Sequence, residues 1–183
     1  MHGRKVCCAG LLSFPILLGY LLMAQAMPVQ CRGPSSAVRS PDGQHTLLWK
    51  ASACALWITD ARGSHRQLLL RPIEAPSIGW SPDSRAFFVN DHISSDFESS
   101  YVFSIATIPQ KLDLHAAVRH YLEPNERRGN AHVYAHALSW IDNEHILLRV
   151  SGHSDRPPAR EFVNCYIADT HGGVAVAENN DCR

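Results

Sequence analysis

The chain has 183 residues, of which 45% are hydrophobic and 19% charged, and its formal net charge is zero. That length suffices for one domain with a real core, and the composition excludes an intrinsically disordered chain. The balanced charge gives no electrostatic footprint for nucleic acid or an anionic membrane surface.

The first element is a targeting segment. Arg4 and Lys5 precede an apolar stretch from Val6 to Met23, and Ala24-Gln25-Ala26 follows as a small-x-small cleavage site. This is the pattern of a secretory signal over residues 1–26, with a mature chain beginning near Met27. Pro15 interrupts the apolar run, which argues against its remaining as a membrane anchor. Gln30 and Pro28, just before Cys31, do not fit a lipoprotein site, which wants small and aliphatic residues there. Loss of the segment removes two positive charges and leaves 15 basic against 17 acidic side chains.

Cys7 and Cys8 leave with the signal, and Cys31, Cys54, Cys165 and Cys182 remain. An even number in an exported chain implies two disulfides, with three possible connectivities. Cys31–Cys182 with Cys54–Cys165 is the favoured pairing. It joins the two cysteines near the mature ends, and the two at matching places in the first and third repeats below. No Cys-x-x-Cys is present, so neither a thiol redox motif nor a zinc ribbon is indicated.

A loose lead-in over 27–36 carries Pro28, Gly33, Pro34, Ser35 and Ser36. Ser40-Pro41-Asp42-Gly43 then has the chemistry of a β-turn: a serine that bonds local backbone, a proline that presets φ, and a glycine free of steric restriction. The short apolar run after it reads as a strand. Ala55 to Gly63 adds a second strand closed by an Asp60-x-x-Gly63 turn.

The same unit recurs. Trp80-Ser81-Pro82-Asp83-Ser84 leads into Ala86-Phe87-Phe88-Val89, and Ser100 to Ile105 follows. A third, degenerate copy runs from Trp140-Ile141-Asp142-Asn143 through Ile146-Leu147-Leu148 to Cys165-Tyr166-Ile167-Ala168-Asp169-Thr170-His171-Gly172. Ser40 and Ser81 are 41 residues apart, a period that suits propeller blades. These turn and strand motifs resemble the TolB-type (WD40-like) repeat of bacterial β-propellers, over roughly residues 37–176. The resemblance implies a mostly β protein of three blade-like antiparallel sheets, over about 37–70, 77–107 and 137–176. Three such repeats do not close a propeller, which leaves three arrangements: an open array with its edges covered, a degenerate fourth blade, or closure by a second chain.

Between copies two and three the pattern changes. Leu114, Val118, Tyr121 and Leu122 recur at helical spacing, and Glu123-Pro124-Asn125 ends the run. An inserted amphipathic helix of about three turns is expected over roughly 109–123. His132, Tyr134 and His136 then alternate onto one face of a strand.

No catalytic motif appears. Gly152-His153-Ser154-Asp155-Arg156 begins like a nucleophile elbow, but Arg156 stands where the second glycine is needed. Paired carboxylates, phosphate loops and cofactor signatures are absent from the sequence, so no cofactor is expected. Trp49, Trp57, Trp80 and Trp140 read as core packing at equivalent strand positions.

Binding residues are expected on loops. One such loop is Asn90 to Ser99, with Asp91, His92 and Asp96. A second is Ser151 to Glu161, with His153, Asp155 and Arg156. Arg127, Arg128, His132 and His136 lie beside them. His132 and His136 are two pleats apart, about 7 Å, too wide for one ion without help from another strand. The reading is a periplasmic or secreted, non-catalytic binding module whose partner is another envelope or secreted protein. Two further readings stand beside it. One is a metal-binding protein in which His132 or His136 meets Asp91, His92 or another histidine. The other is an enzyme inhibitor that inserts the loop from Ser151 to Pro158.

Overall fold

The computed structural model describes residues 31, 33–94, 97–106, 110–124, 131–154, 161–178 and 182. The expected signal over 1–26 lies outside them. The described chain is mostly β, built as three four-stranded antiparallel meanders in chain order. The first holds β1 (Ser36–Arg39), β2 (His45–Lys50), β3 (Ala55–Asp60) and β4 (Arg66–Leu70). The second holds β5 (Ser77–Trp80), β6 (Ala86–Ser94), β7 (Phe97–Ser104) and β8 (Gln110–Asp113). The third holds β9 (Ala131–Trp140), β10 (His145–Ser154), β11 (Glu161–Asp169) and β12 (Val174–Val176). No helix among the described residues is long and apolar enough to cross a membrane.

The Ser-Pro-Asp turns close the first hairpin of the first two sheets. Ser40 donates its hydroxyl to Asp42 Oδ1 at 2.6 Å and accepts the His45 N–H at 3.0 Å. Ser81 repeats this with Asp83 at 2.8 Å and the Ala86 N–H at 3.0 Å. The third turn is one residue shorter, as the pairs Trp80–Phe87 and Trp140–Ile146 show. Lacking the serine, it relies on Asp142, whose Oδ1 accepts the N–H of Glu144 at 2.8 Å and of His145 at 2.7 Å.

Two cores lie on either side of the middle sheet. Phe87, Val89 and Phe103 join Leu47, Trp49 and Leu56 of the first sheet. Ala86, Phe88 and Val102 join Leu148, Val150 and Tyr166 of the third. Alternate residues of β6 therefore face opposite cores, which is why 86–89 is a continuous apolar run. In β2 and β10, by contrast, buried residues alternate with less buried ones. Burying each such side chain contributes about 1.5–3 kcal/mol.

The helix is shorter than the periodicity implies. Gln110–Asp113 is the fourth strand of the second sheet, with Val102 opposite Leu112 and Tyr101 opposite Asp113. Asp113 then caps α1 (Leu114–Val118) by accepting the Ala116 N–H at 3.0 Å. A strand edge in need of a partner outweighs helical spacing before this cap. Leu114, Val118 and Leu122 do pack into the second core, whereas Tyr121 is 48% exposed.

The disulfides are Cys31–Cys54 and Cys165–Cys182, not the favoured crossed pairing. Cys54 follows the β2–β3 connection of the first sheet and Cys165 sits in β11 of the third, with the second sheet between. Each bonds the chain end nearest to it, with Cα–Cα distances of 5.6 and 5.8 Å.

Of the tryptophans, only Trp80 and Trp140 hold equivalent places, at the ends of β5 and β9. Trp49 is in the first core, and Trp57 lies beneath the Arg66 guanidinium, 4.4 Å from its ring.

Candidate functional site

The stretch Asn90 to Ser99, expected as a loop, is largely strand. β6 and β7 run on beyond the core as a long hairpin with Asn90 opposite Ser100 and His92 opposite Glu98. Polar residues are stable in this extension because it lies against the edge of another sheet, β9, which offers them backbone partners.

The inner layer of this junction is buried. Asn90 Nδ2 donates to Ser77 Oγ at 2.8 Å and to the Ala137 carbonyl at 2.9 Å, while its Oδ1 accepts the Ala137 N–H at 2.8 Å. Ser100 Oγ faces Asn90 Oδ1 and the Ala135 carbonyl, the latter at 2.7 Å. Because β9 ends the order of its sheet, these side chains satisfy backbone groups that would otherwise be buried unpaired.

The outer layer sits one pleat further along the same hairpin. His92 Nδ1 lies 3.3 Å from Glu98 Oε1, and His136 Nδ1 of β9 contacts the same oxygen. The His92 and His136 rings are 5.7 Å apart. The ligand atoms of His92, Glu98 and His136 all lie within 4.8 Å of one another. Side-chain exposures of 47%, 15% and 32% in that order leave one side of the group open to solvent. Ligands at about 2.0–2.2 Å from a tetrahedral ion stand roughly 3.4 Å apart, which the His92–Glu98 pair matches, whereas the direct His136–Glu98 contact opens to admit an ion.

The expected site residues thus divide. His92 and His136 converge; Glu98, which they share, was not among the candidates. Its signal in the sequence is symmetry about the hairpin tip, legible only once 90–99 is read as strand. Asp91 is buried on the alternate side of β6 and accepts the Glu74 N–H at 3.1 Å. Burial pushes its carboxyl up to about 6.

His132 and His153 also lie on strands and are register partners. Their rings stack at 4.7 Å, and Tyr134 lies 6.1 Å from His153. His132 and His136 therefore belong to separate groups. Asp96, Arg127, Arg128, Asp155 and Arg156 lie outside the described residues, as does much of the loop from Ser151 to Pro158. Gly152 is a strand residue in β10, where a Cβ would collide with the His132 carbonyl and the Phe162 ring.

Comparison with known proteins finds no matching family model, no matching curated protein and no matching solved structure.

Proposed function

We propose that the chain is an exported, non-catalytic binding protein whose ligand is a divalent transition-metal ion held by His92, Glu98 and His136. The observation that carries this reading is the convergence of two imidazoles and one carboxylate on a partly open rim. Two nitrogens and one oxygen suit Zn2+, Ni2+ or Cu2+ better than Ca2+ or Mg2+, which prefer oxygen alone. All four described cysteines are oxidised, so none offers a thiolate. The export half of the proposal is supported by the two disulfides and by the residue pattern over 1–26. The TolB-like turn repeats belong to the same reading as the scaffold that displays the site.

The test is calorimetric titration of the EDTA-stripped, oxidised chain with Zn2+. One ion per chain is expected, with affinity lowered roughly tenfold or more in His136→Ala and His92→Ala. No saturable binding, or binding unchanged in both variants, overturns the proposal.

A further inference from the structure

We infer that an ion held by His92, Glu98 and His136 is a clasp between the second and third sheets, fixing the β6–β7 hairpin to the edge of β9. This rests on the metal reading above and adds what occupancy does to the fold. The three groups come from two sides of one junction: His92 and Glu98 from the hairpin, His136 from β9. The junction has two layers. In the lower one, Asn90 and Ser100 hold the β9 backbone at Ala135 and Ala137 and are themselves buried. In the upper one, a single carboxylate faces two half-exposed imidazoles.

Among the described residues, neither disulfide crosses this junction. Cys31–Cys54 ties the lead-in to the β2–β3 connection of the first sheet, and Cys165–Cys182 ties the tail to β11 within the third. The contacts of Glu98 with the two imidazoles are partly open to solvent, and such pairs contribute little by themselves. An ion is different, because the full ligand set exists only when hairpin and strand are together. A ligand specific to the closed form multiplies the closed-to-open ratio by one plus its concentration over Kd, so a hundredfold excess over Kd shifts it about 100-fold. Metal occupancy then decides how often the β9 edge is uncovered.

Backbone hydrogen exchange of the oxidised full chain, with and without Zn2+ at a hundredfold excess over the calorimetric Kd, tests this. The Ala137 amide and its neighbours in 131–140, with those of 90–100, are expected to slow up to about 100-fold. Amides of β2 and β3 are expected to keep their rates. The slowing should vanish in His136→Ala and in His92→Ala. The latter is the safer variant, since His92 is the most exposed of the three, and unchanged β2 and β3 rates show that either variant is folded.

Zn2+ that binds by calorimetry yet leaves 131–140 unprotected overturns the clasp and spares the metal site. Equal slowing across all three sheets also overturns it, since that is ordinary ligand stabilisation. Absence of any binding removes both.

Discussion

Trp140 donates its indole N–H to the carbonyl of Gly79 at 2.9 Å, joining the end of β9 to the preceding sheet. Trp80 makes the equivalent bond one sheet earlier, to Val38 at 3.4 Å. The acceptors correspond as well, each standing two residues before its own turn residue, Ser81 or Ser40. Among the described residues no sheet precedes the first, and Arg39 stands at the matching place. It turns back on its own loop and donates to the Gly43 carbonyl through Nε at 3.2 Å and Nη2 at 3.0 Å.

This ladder predicts that Trp140→Phe costs about 1 kcal/mol, the usual net value of one hydrogen bond, while keeping most of the ring contact with Phe88. Trp80→Phe should cost less, because its bond is longer. Urea unfolding of both variants measures this. A larger loss in Trp80→Phe would mean that ring packing, not the indole N–H, sets the order.

Ser84 occupies the position where Gly43 stands in the first turn, and its φ is 64°. A serine there is strained, yet its Oγ accepts the Asp42 N–H at 3.0 Å and so bonds one turn to the other. Ser84→Ala keeps the strain and loses the bond, a cost of about 1–2 kcal/mol. Ser84→Gly loses the bond but relieves the strain, so a net change below about 1 kcal/mol is expected. Both variants lack the bond, so if glycine proves the worse of the two, the backbone strain at Ser84 is smaller than the entropy cost of a glycine there.

The turn carboxylates contribute to stability against acid. The Ser40 hydroxyl first, then the Gln44 N–H, hold Asp42 below its usual value of 3.8. A carboxyl depressed on folding adds stability above its unfolded pKa and loses it as pH falls through the folded one. Asp42→Asn should therefore flatten the decline in stability below about pH 4. His145 has the opposite sign: its bond to Asp142 raises it above 6.5. Its contribution is full below 6.5 and fades as pH rises through the higher folded value. An NMR titration should show the His145 midpoint falling in Asp142→Asn; an unmoved midpoint would remove this pair from the account.

Non-reducing proteolysis should release one peptide pair joined through Cys31 and Cys54 and another through Cys165 and Cys182. A Cys54–Cys165 product would contradict the fold, since the second sheet lies between those residues. The loops close over separations of 23 and 17 residues. Each bond is expected to contribute about 3 kcal/mol through loop entropy, so Cys165→Ser/Cys182→Ser should lower stability by about that much.

The strands and hairpin turns were legible because their signals are local: Ser40, Asp42, Ser81 and Asp83 act on residues within five of themselves. The helix was overread because 110–113 had to pair with β7, a demand set by distant residues. The disulfides were misread because sequence equivalence of Cys54 and Cys165 says nothing of the sheet between them. Two of the three residues of the candidate site stood out in the sequence, the histidines, but Glu98 gains meaning only opposite His92 and beside a strand 38 residues away from it.

Asn90 offers the most direct test of the junction beneath that site. It is 1% exposed, and its amide meets both backbone groups of Ala137 as well as Ser77. Asn90→Ala leaves the Ala137 carbonyl unpaired, and the Ala137 N–H keeps only Ser100 Oγ, at 3.2 Å. Buried groups stripped of partners cost about 1–3 kcal/mol each, so a total loss of about 2–4 kcal/mol is expected. Ser77→Ala removes one acceptor at the margin and should cost about 1 kcal/mol. Because the third sheet would lose its hold on the hairpin before either core opens, the Ala137 amide should exchange faster in Asn90→Ala while those of β2 and β3 do not. Equal acceleration in all three sheets would show that the junction opens only when the whole chain unfolds.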